Sequence, residues 1–438
     1  CWRVLFNRSN RMRSAARLRA NSRSAAMLAT LSCLIVCHLG SGSRPPRNEA
    51  ERALQYQLLQ DIVEAPELAM EDNTPSKSLA PLAEDLEVVP EAEALPLSTE
   101  VYAADPSAHL FEGRIYVYCS HDSPAVVQGL EVPHFNMVDY VVLSRDARGG
   151  GPTAVHANVL KLEDVPWASG KLWAPDAAYK DGTYYLFLPA QDRFNGTNGV
   201  FRIGVATAAR PAGPFIAQPQ PLAGSYSIDP AVFCDAKEDG AFYIFFGGIW
   251  GGQLQRWNTE GDSYNASSQC TTDKERPDAP AILPRFARLS DDLLSLAHPP
   301  REVSIVDAAG APLLTSDHAR RYFEGPWVYR RRGVYYLSWS TGNTHRIVYA
   351  TASRVDGPYT YQGVLSHPVR GWTHHHSVLE VGDDEWLFFY HDTRRSGLTH
   401  LRDAKFAPLR HRADGSVVPI RHHYADGKPA ELKLEAGG

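Results

Sequence analysis

A chain of 438 residues with 44 Lys and Arg against 50 Asp and Glu is mildly acidic, at −6. No basic stripe interleaves with aromatic residues, which argues against a nucleic-acid partner. Hydrophobic residues make up 44%, enough for a sizeable core. Tyr, Phe and Trp number 20, 16 and 9 against 4 Met, a balance that suits strands.

Residues 1–43 read as a targeting segment and an upstream extension, with translation starting at Met12. Arg13, Arg17, Arg19 and Arg23 form a basic region. Residues 25–36 follow as an apolar stretch too short to span a bilayer, and Ser41, Gly42 and Ser43 supply small residues. The expectation is a secreted or periplasmic protein, free of the membrane once the signal is cleaved. Residues 44–98 shift to Glu, Pro and Ala and read as an acidic, mostly disordered linker. Within it Leu54, Leu58, Leu59 and Ile62 have helical spacing. The six cysteines are Cys1, Cys33, Cys37, Cys119, Cys234 and Cys270. They contain no C-x-x-C pair, so a zinc site has no support. The last three cannot all pair, and buried thiols are expected of them.

From residue 99 to 438 one pattern recurs five times. Its openings are Ala104-Asp105-Pro106, Trp173-Ala174-Pro175-Asp176, Ile228-Asp229-Pro230, Phe323-Glu324-Gly325-Pro326 and His375-His376-Ser377. A turn and an aromatic strand follow each, at residues 113–118, 182–187, 240–245, 333–338 and 385–390. Third strands follow at 137–142, 201–206, 285–290, 346–351 and 400–404. Gly213-Pro214 and Gly357-Pro358 then start fourth strands. Four-stranded units repeated around a ring make an all-β, five-bladed propeller. Residues 416–420 are expected to complete the last blade.

In a propeller the first strand of each blade lines the central channel. Asp105, Asp229, Glu324 and His375 therefore meet at one mouth, with Trp173 and Ala174 in the second blade. Residues 120–122, 191–193, 247–250, 340–342 and 391–392, at the ends of second strands, rim the same mouth. Like charges raise one another's pKa, so one of three converging carboxyls stays protonated near neutral pH. A protonated acid facing an ionised base is what glycosidic cleavage needs: one protonates the leaving oxygen, the other activates water.

These openings, in this order, resemble the family 43 glycoside hydrolases, five-bladed propellers acting on xylan and arabinan side groups. The resemblance covers residues 101 to about 420. It implies Asp105 as general base, Glu324 as general acid and Asp229 as the residue that orients Glu324 and keeps its pKa raised. It implies His375 as a channel histidine holding a calcium ion or a water network. Residues 120–122, 135–140 and 251–254 resemble a subgroup of β-xylosidases and α-L-arabinofuranosidases, the former favoured. An inverting enzyme on xylo- or arabino-oligosaccharides is the expectation. Trp173, Phe135 and Trp250 either stack on sugar or fill the channel wall. Arg402 either binds sugar hydroxyls or forms a salt bridge. Asp176 is expected to serve structure, and His374 and His376 to alternate to other faces. Asn195 and Asn265 fit the glycosylation sequon. Two rivals remain: a non-catalytic carbohydrate-binding propeller, and a retaining fructan hydrolase, whose Asn-Asp-Pro-Asn opening and Glu-Cys acid are missing.

Overall fold

Each blade begins as a hairpin whose turn its residues dictate. Glu112 and Gly113 have φ of 51° and 74°, Asp181 and Gly182 50° and 84°, and Arg332 and Gly333 49° and 84°. Two consecutive positive φ values define the tight turn that matches strand twist, and glycine adopts the second without cost. The fifth blade makes the same turn with Asp383 and Asp384, a residue type that tolerates the left-handed region.

The computed structural model describes residues 87–89, 95–123, 126–127, 130–131, 135–147, 151–193, 199–266 and 276–422. All belong to a unit spanning Leu79–Lys433. The targeting segment, the helical spacing near Leu58, Asn195 and Cys270 lie outside the described residues.

Five antiparallel sheets follow in chain order. The first blade is Tyr102–Phe111, Arg114–Asp122, Asp139–Asp146 and Ala154–Lys161. The second is Asp176–Lys180, Thr183–Asp192, Val200–Ala208 and Ile216–Ala217. The third is Ala231–Cys234, Phe242–Phe246, Arg285–Arg288 and Arg301–Glu302. The fourth is Glu324–Arg331, Val334–Ser340, Ile347–Ala352 and Tyr359–Ser366. The fifth is His376–Gly382, Glu385–Asp392 and Asp403–Leu409. First strands pack on one another in sequence, and the fifth returns to the first, which closes the ring. Second strands are buried on both faces because each lies between neighbouring blades. Phe187, Phe245, Phe246 and Phe388 are fully buried there, each ring contributing about 1.5–3 kcal/mol. Both-sided burial is why these strands read as unbroken apolar runs rather than alternating ones.

Three details differ from the sequence expectations. Residues 416–418 turn back on the fifth blade, the Arg412 N–H donating to the Ser416 carbonyl at 2.8 Å and the Val418 N–H to the Arg410 carbonyl at 2.9 Å, but Ile420–His422 leaves it and runs parallel to the outer strand of the fourth, with Ser366 opposite Ile420. That outer strand also pairs in parallel with Ile305–Val306 near its start, and at its end the His367 N–H reaches the Ile420 carbonyl at 2.8 Å. Glu87–Val89, within the segment read as linker, pairs in parallel with Ile420–His422. Leu97 is buried, and its N–H donates to the Ala404 carbonyl at 2.8 Å. The segment before the first blade therefore lies against the fifth. Arg395 fastens it there by donating to the carbonyls of Thr99 and Val101. Finally, Cys119 is buried as expected but Cys234 is exposed, because its short strand ends beside an exposed turn.

Candidate active site

Local backbone geometry aims the carboxyls. Asp105 has φ 52° and Asp229 φ 59°, left-handed values that Asp adopts more readily than most residues. Around Asp105 the strand register slips between Ala104 and Ser107, and around Glu324 it slips between Glu324 and Trp327. Such bulges re-aim a side chain out of the ladder. Gly325 has φ 62°, and a Cβ there would lie 2.9 Å from His375 Cδ2, so only glycine lets the fourth and fifth blades approach this closely.

Asp105 is held from four directions. Arg402 Nη1 donates to Oδ1 at 2.8 Å and Ser120 Oγ donates to Oδ2 at 2.8 Å. The Asp105 backbone N–H donates to His391 Nδ1 at 2.9 Å. His375 Nδ1 lies 3.6 Å from Oδ1. Burial alone would raise this carboxyl. The Arg402 guanidinium overrides it, with His391, His375 and Ser120 assisting, and holds Asp105 at about 2.

The other two carboxyls sit in the opposite state. Asp229 Oδ2 accepts the Gly325 N–H at 2.9 Å, which brings it beside Glu324. Burial, then the neighbouring Glu324 and Asp105 charges, hold Asp229 well above the usual carboxylate range. Burial and the Asp105 charge push Glu324 up to about 8, with Arg402 opposing. The pair therefore keeps at least one proton at neutral pH while Asp105 stays ionised. Glu324 is half-buried and open enough to meet a ligand.

The residues expected to touch sugar also gather here. Trp173 Nε1 donates to the Phe135 carbonyl at 2.8 Å, and its ring packs 4.5 Å from Phe201. The Phe135 ring lies 5.1 Å from the Arg402 guanidinium. Trp250 meets Phe323, the neighbour of Glu324, edge-on at 5.0 Å. All three are half-buried, so each is partly open to a ligand. Arg402 is 2% exposed and committed to carboxylates. Beyond Asp105, it donates through Nε and Nη2 to both oxygens of Asp122, at 2.7 and 2.8 Å. Its salt bridge is buried in the site rather than on a blade surface.

Asp122, Ser120, His391 and Thr373 complete the site. Their signal was position: Ser120, Asp122 and His391 stand in the runs that rim the mouth. Asp176 lies deeper, fully buried, accepting from Ser107, from His109 at 2.6 Å and from the Val232 N–H at 2.5 Å. It ties three blades together. His374 donates through Nδ1 to the His345 carbonyl at 3.0 Å, and His376 Nε2 meets Ser338 Oγ at 2.6 Å; both face away from Asp105.

A cation at His375 would find one imidazole. No group of three His, Cys, Asp or Glu suited to a metal occurs among the described residues. Calcium takes six to eight oxygens, so an ion beside His375 would draw most of its shell from water or carbonyl oxygens.

A five-bladed propeller with an ionised carboxylate facing a proton-holding carboxyl pair has the parts of an acid/base glycosidase. Residues 103–417 match the model for glycosyl hydrolases family 43. A xylosidase/arabinosidase 43A from Humicola insolens is 46% identical over 315 residues, 71% of this chain and 94% of its own. A β-xylosidase from Xylanibacter ruminicola is 43% identical, covering 70% of this chain and 92% of its own. A solved β-xylosidase/α-arabinofuranosidase from a compost microbial metagenome, complexed with xylotriose in a calcium-free form, is 51% identical. It superposes with a TM-score of 0.69 over 75% of this chain and 97% of its own. The chain belongs to glycosyl hydrolases family 43, and is an inverting glycosidase.

Proposed function

We propose that this enzyme releases xylose or arabinofuranose from plant cell-wall oligosaccharides, with Asp105 as general base, Glu324 as general acid and Asp229 as the partner that keeps Glu324 protonated. The carrying observation is the split in charge state. Arg402 keeps Asp105 ionised, while burial and like charge keep a proton on the Asp229–Glu324 pair. Asp229 is buried and accepts the Gly325 N–H, whereas Glu324 is half-buried, so Glu324 is the member of the pair that can hand the proton to a leaving group. Glu324 gives that proton to the leaving oxygen as Asp105 takes one from the attacking water, and the anomeric centre inverts. Trp173, Phe135 and Trp250 offer ring faces to sugar. We extend the reading to an exported enzyme on the strength of the basic, apolar targeting segment.

No proton or bond in this scheme passes through a metal. A cation beside His375, filled out by water, would add positive charge near Asp105. Arg402 already ionises that carboxyl, so chelation is expected to cost less than tenfold in turnover. Nitrophenyl β-D-xylopyranoside and α-L-arabinofuranoside, assayed with and without chelator, test both points. The first-formed anomer, followed by NMR, tests inversion. Binding of xylotriose with no hydrolysis of either glycoside would leave the non-catalytic propeller as the reading.

Asp229→Asn removes one of two like charges. The pKa of Glu324 then falls, so the alkaline limb of the kcat/KM profile moves to lower pH, with kcat down by roughly tenfold. An unmoved alkaline limb would show that Asp229 does not act on Glu324.

A further inference from the structure

Two of the fifth blade's contacts with Asp105, one at its backbone and one at its side chain, form one closed circuit. The Asp105 N–H donates to His391 Nδ1 at 2.9 Å. A ring nitrogen that accepts carries no proton, so the proton is on Nε2. Nε2 faces Thr373, 2.9 Å from its hydroxyl and 3.1 Å from its carbonyl. The Thr373 hydroxyl also accepts from Arg402 Nη1 at 3.1 Å. Arg402 Nη1 returns to the Asp105 carboxylate at 2.8 Å. His391 is fully buried, and burial together with Arg402 disfavours its charged form, which preserves this tautomer.

We infer that His391 and Thr373 are positioning residues for the general base: they lock the left-handed backbone of Asp105 and set the angle at which Arg402 meets its carboxylate. Asp105 at φ 52° is a conformation that costs free energy and persists only when its surroundings over-determine it. His391 supplies the backbone half of that constraint. Thr373 couples it to the side-chain half, since its hydroxyl serves His391 and Arg402 together. A base displaced by a fraction of an ångström addresses water poorly, although substrate still binds. The inference rests on Asp105 being the base.

Thr373→Val keeps shape and the backbone carbonyl but deletes the shared hydroxyl. It is expected to lower kcat about tenfold with KM within twofold, and Thr373→Ser should recover most of the loss. His391→Asn places an amide oxygen near the Nδ1 position, so it keeps the Asp105 contact and loses the reach to Thr373. His391→Leu loses both and should be the slower of the two. The decisive measurement is a double-mutant cycle on a nitrophenyl glycoside. In an Asp105→Asn background Thr373→Val should change the residual rate by less than twofold, because its effect passes through Asp105. An undiminished tenfold loss in that background, or a fall confined to KM, overturns the inference. Full activity of Asp105→Asn alone would instead refute the base assignment, which keeps the two failures apart.

Discussion

Glu324→Gln is expected to lose about 10²- to 10⁴-fold in kcat/KM on xylobiose, the range that general acid catalysis supplies. On a dinitrophenyl xyloside it should lose less than tenfold. The difference lies in the leaving group. A sugar alkoxide cannot depart without a proton, and Glu324 is the half-buried carboxyl whose pKa, about 8, keeps one at neutral pH. A dinitrophenolate departs unaided. Asp105→Asn should lose the same range on both substrates, since water must be activated whatever departs. It should also leave the fold intact, as Asn keeps the backbone donor to His391 and an acceptor for Arg402. The pH profile offers a second check: with Glu324 as the acid, the alkaline limb present in the parent disappears in Glu324→Gln. Equal losses for Glu324→Gln on both substrates would remove Glu324 from the acid role, and equal sparing of both by Asp105→Asn would remove Asp105 from the base role.

The carboxyls are legible in the chain because the ring imposes one position on five repeats. An Asp before Pro means little once; Asp105 and Asp229, matched with Glu324 and His375, mean a shared mouth. The turn glycines Gly113, Gly182 and Gly333 carry the hairpins for the same local reason. What is not legible is the grip on those carboxyls. Arg402 falls within the expected third strand at 400–404, but that strand begins at Asp403. That offset leaves Arg402 in the approach to the strand, where it reaches Asp105 and Asp122 across 297 and 280 residues of chain. Ser120 and Asp122 are visible as polar ends of an aromatic strand, but their partners depend on how neighbouring blades face one another. The outer edges escape for a similar reason. The attachment of Ile420–His422 to the fourth blade is a contact between a sheet edge and a segment beyond the last repeat, with no repeat to announce it.

Acid should unfold this enzyme well before it titrates Asp105. His345, His374, His376, His391 and His422 are all buried. Burial holds each below the usual histidine range, His345 at about 4 and His374 at about 3. Each is neutral in the folded chain and takes up a proton near pH 6.5 once unfolded. Below 6.5 the unfolded state thus binds more protons, and stability falls as pH falls, by about 1.4 kcal/mol per pH unit for each such group. Asp229 and Glu324 act in the opposite sense. Their folded pKa values are raised, so they bind protons in the folded state and favour it as pH drops towards 4.5. The depressed imidazoles outnumber this carboxyl pair, so the net slope is a loss of stability as pH falls below 6.5. Asp105, at about 2, adds its own loss only at much lower pH. Thermal unfolding followed from pH 7.5 to 5 should show a steep fall in Tm below 6.5. Calorimetry in buffers of different ionisation enthalpy should find a net uptake of protons on unfolding at pH 5.5. His376→Phe, which keeps a ring stacked on Phe388, should reduce that uptake by about one. A Tm that stays level to pH 5, with no proton uptake, would mean that these imidazoles are charged or hydrated in the folded ring rather than dry and neutral.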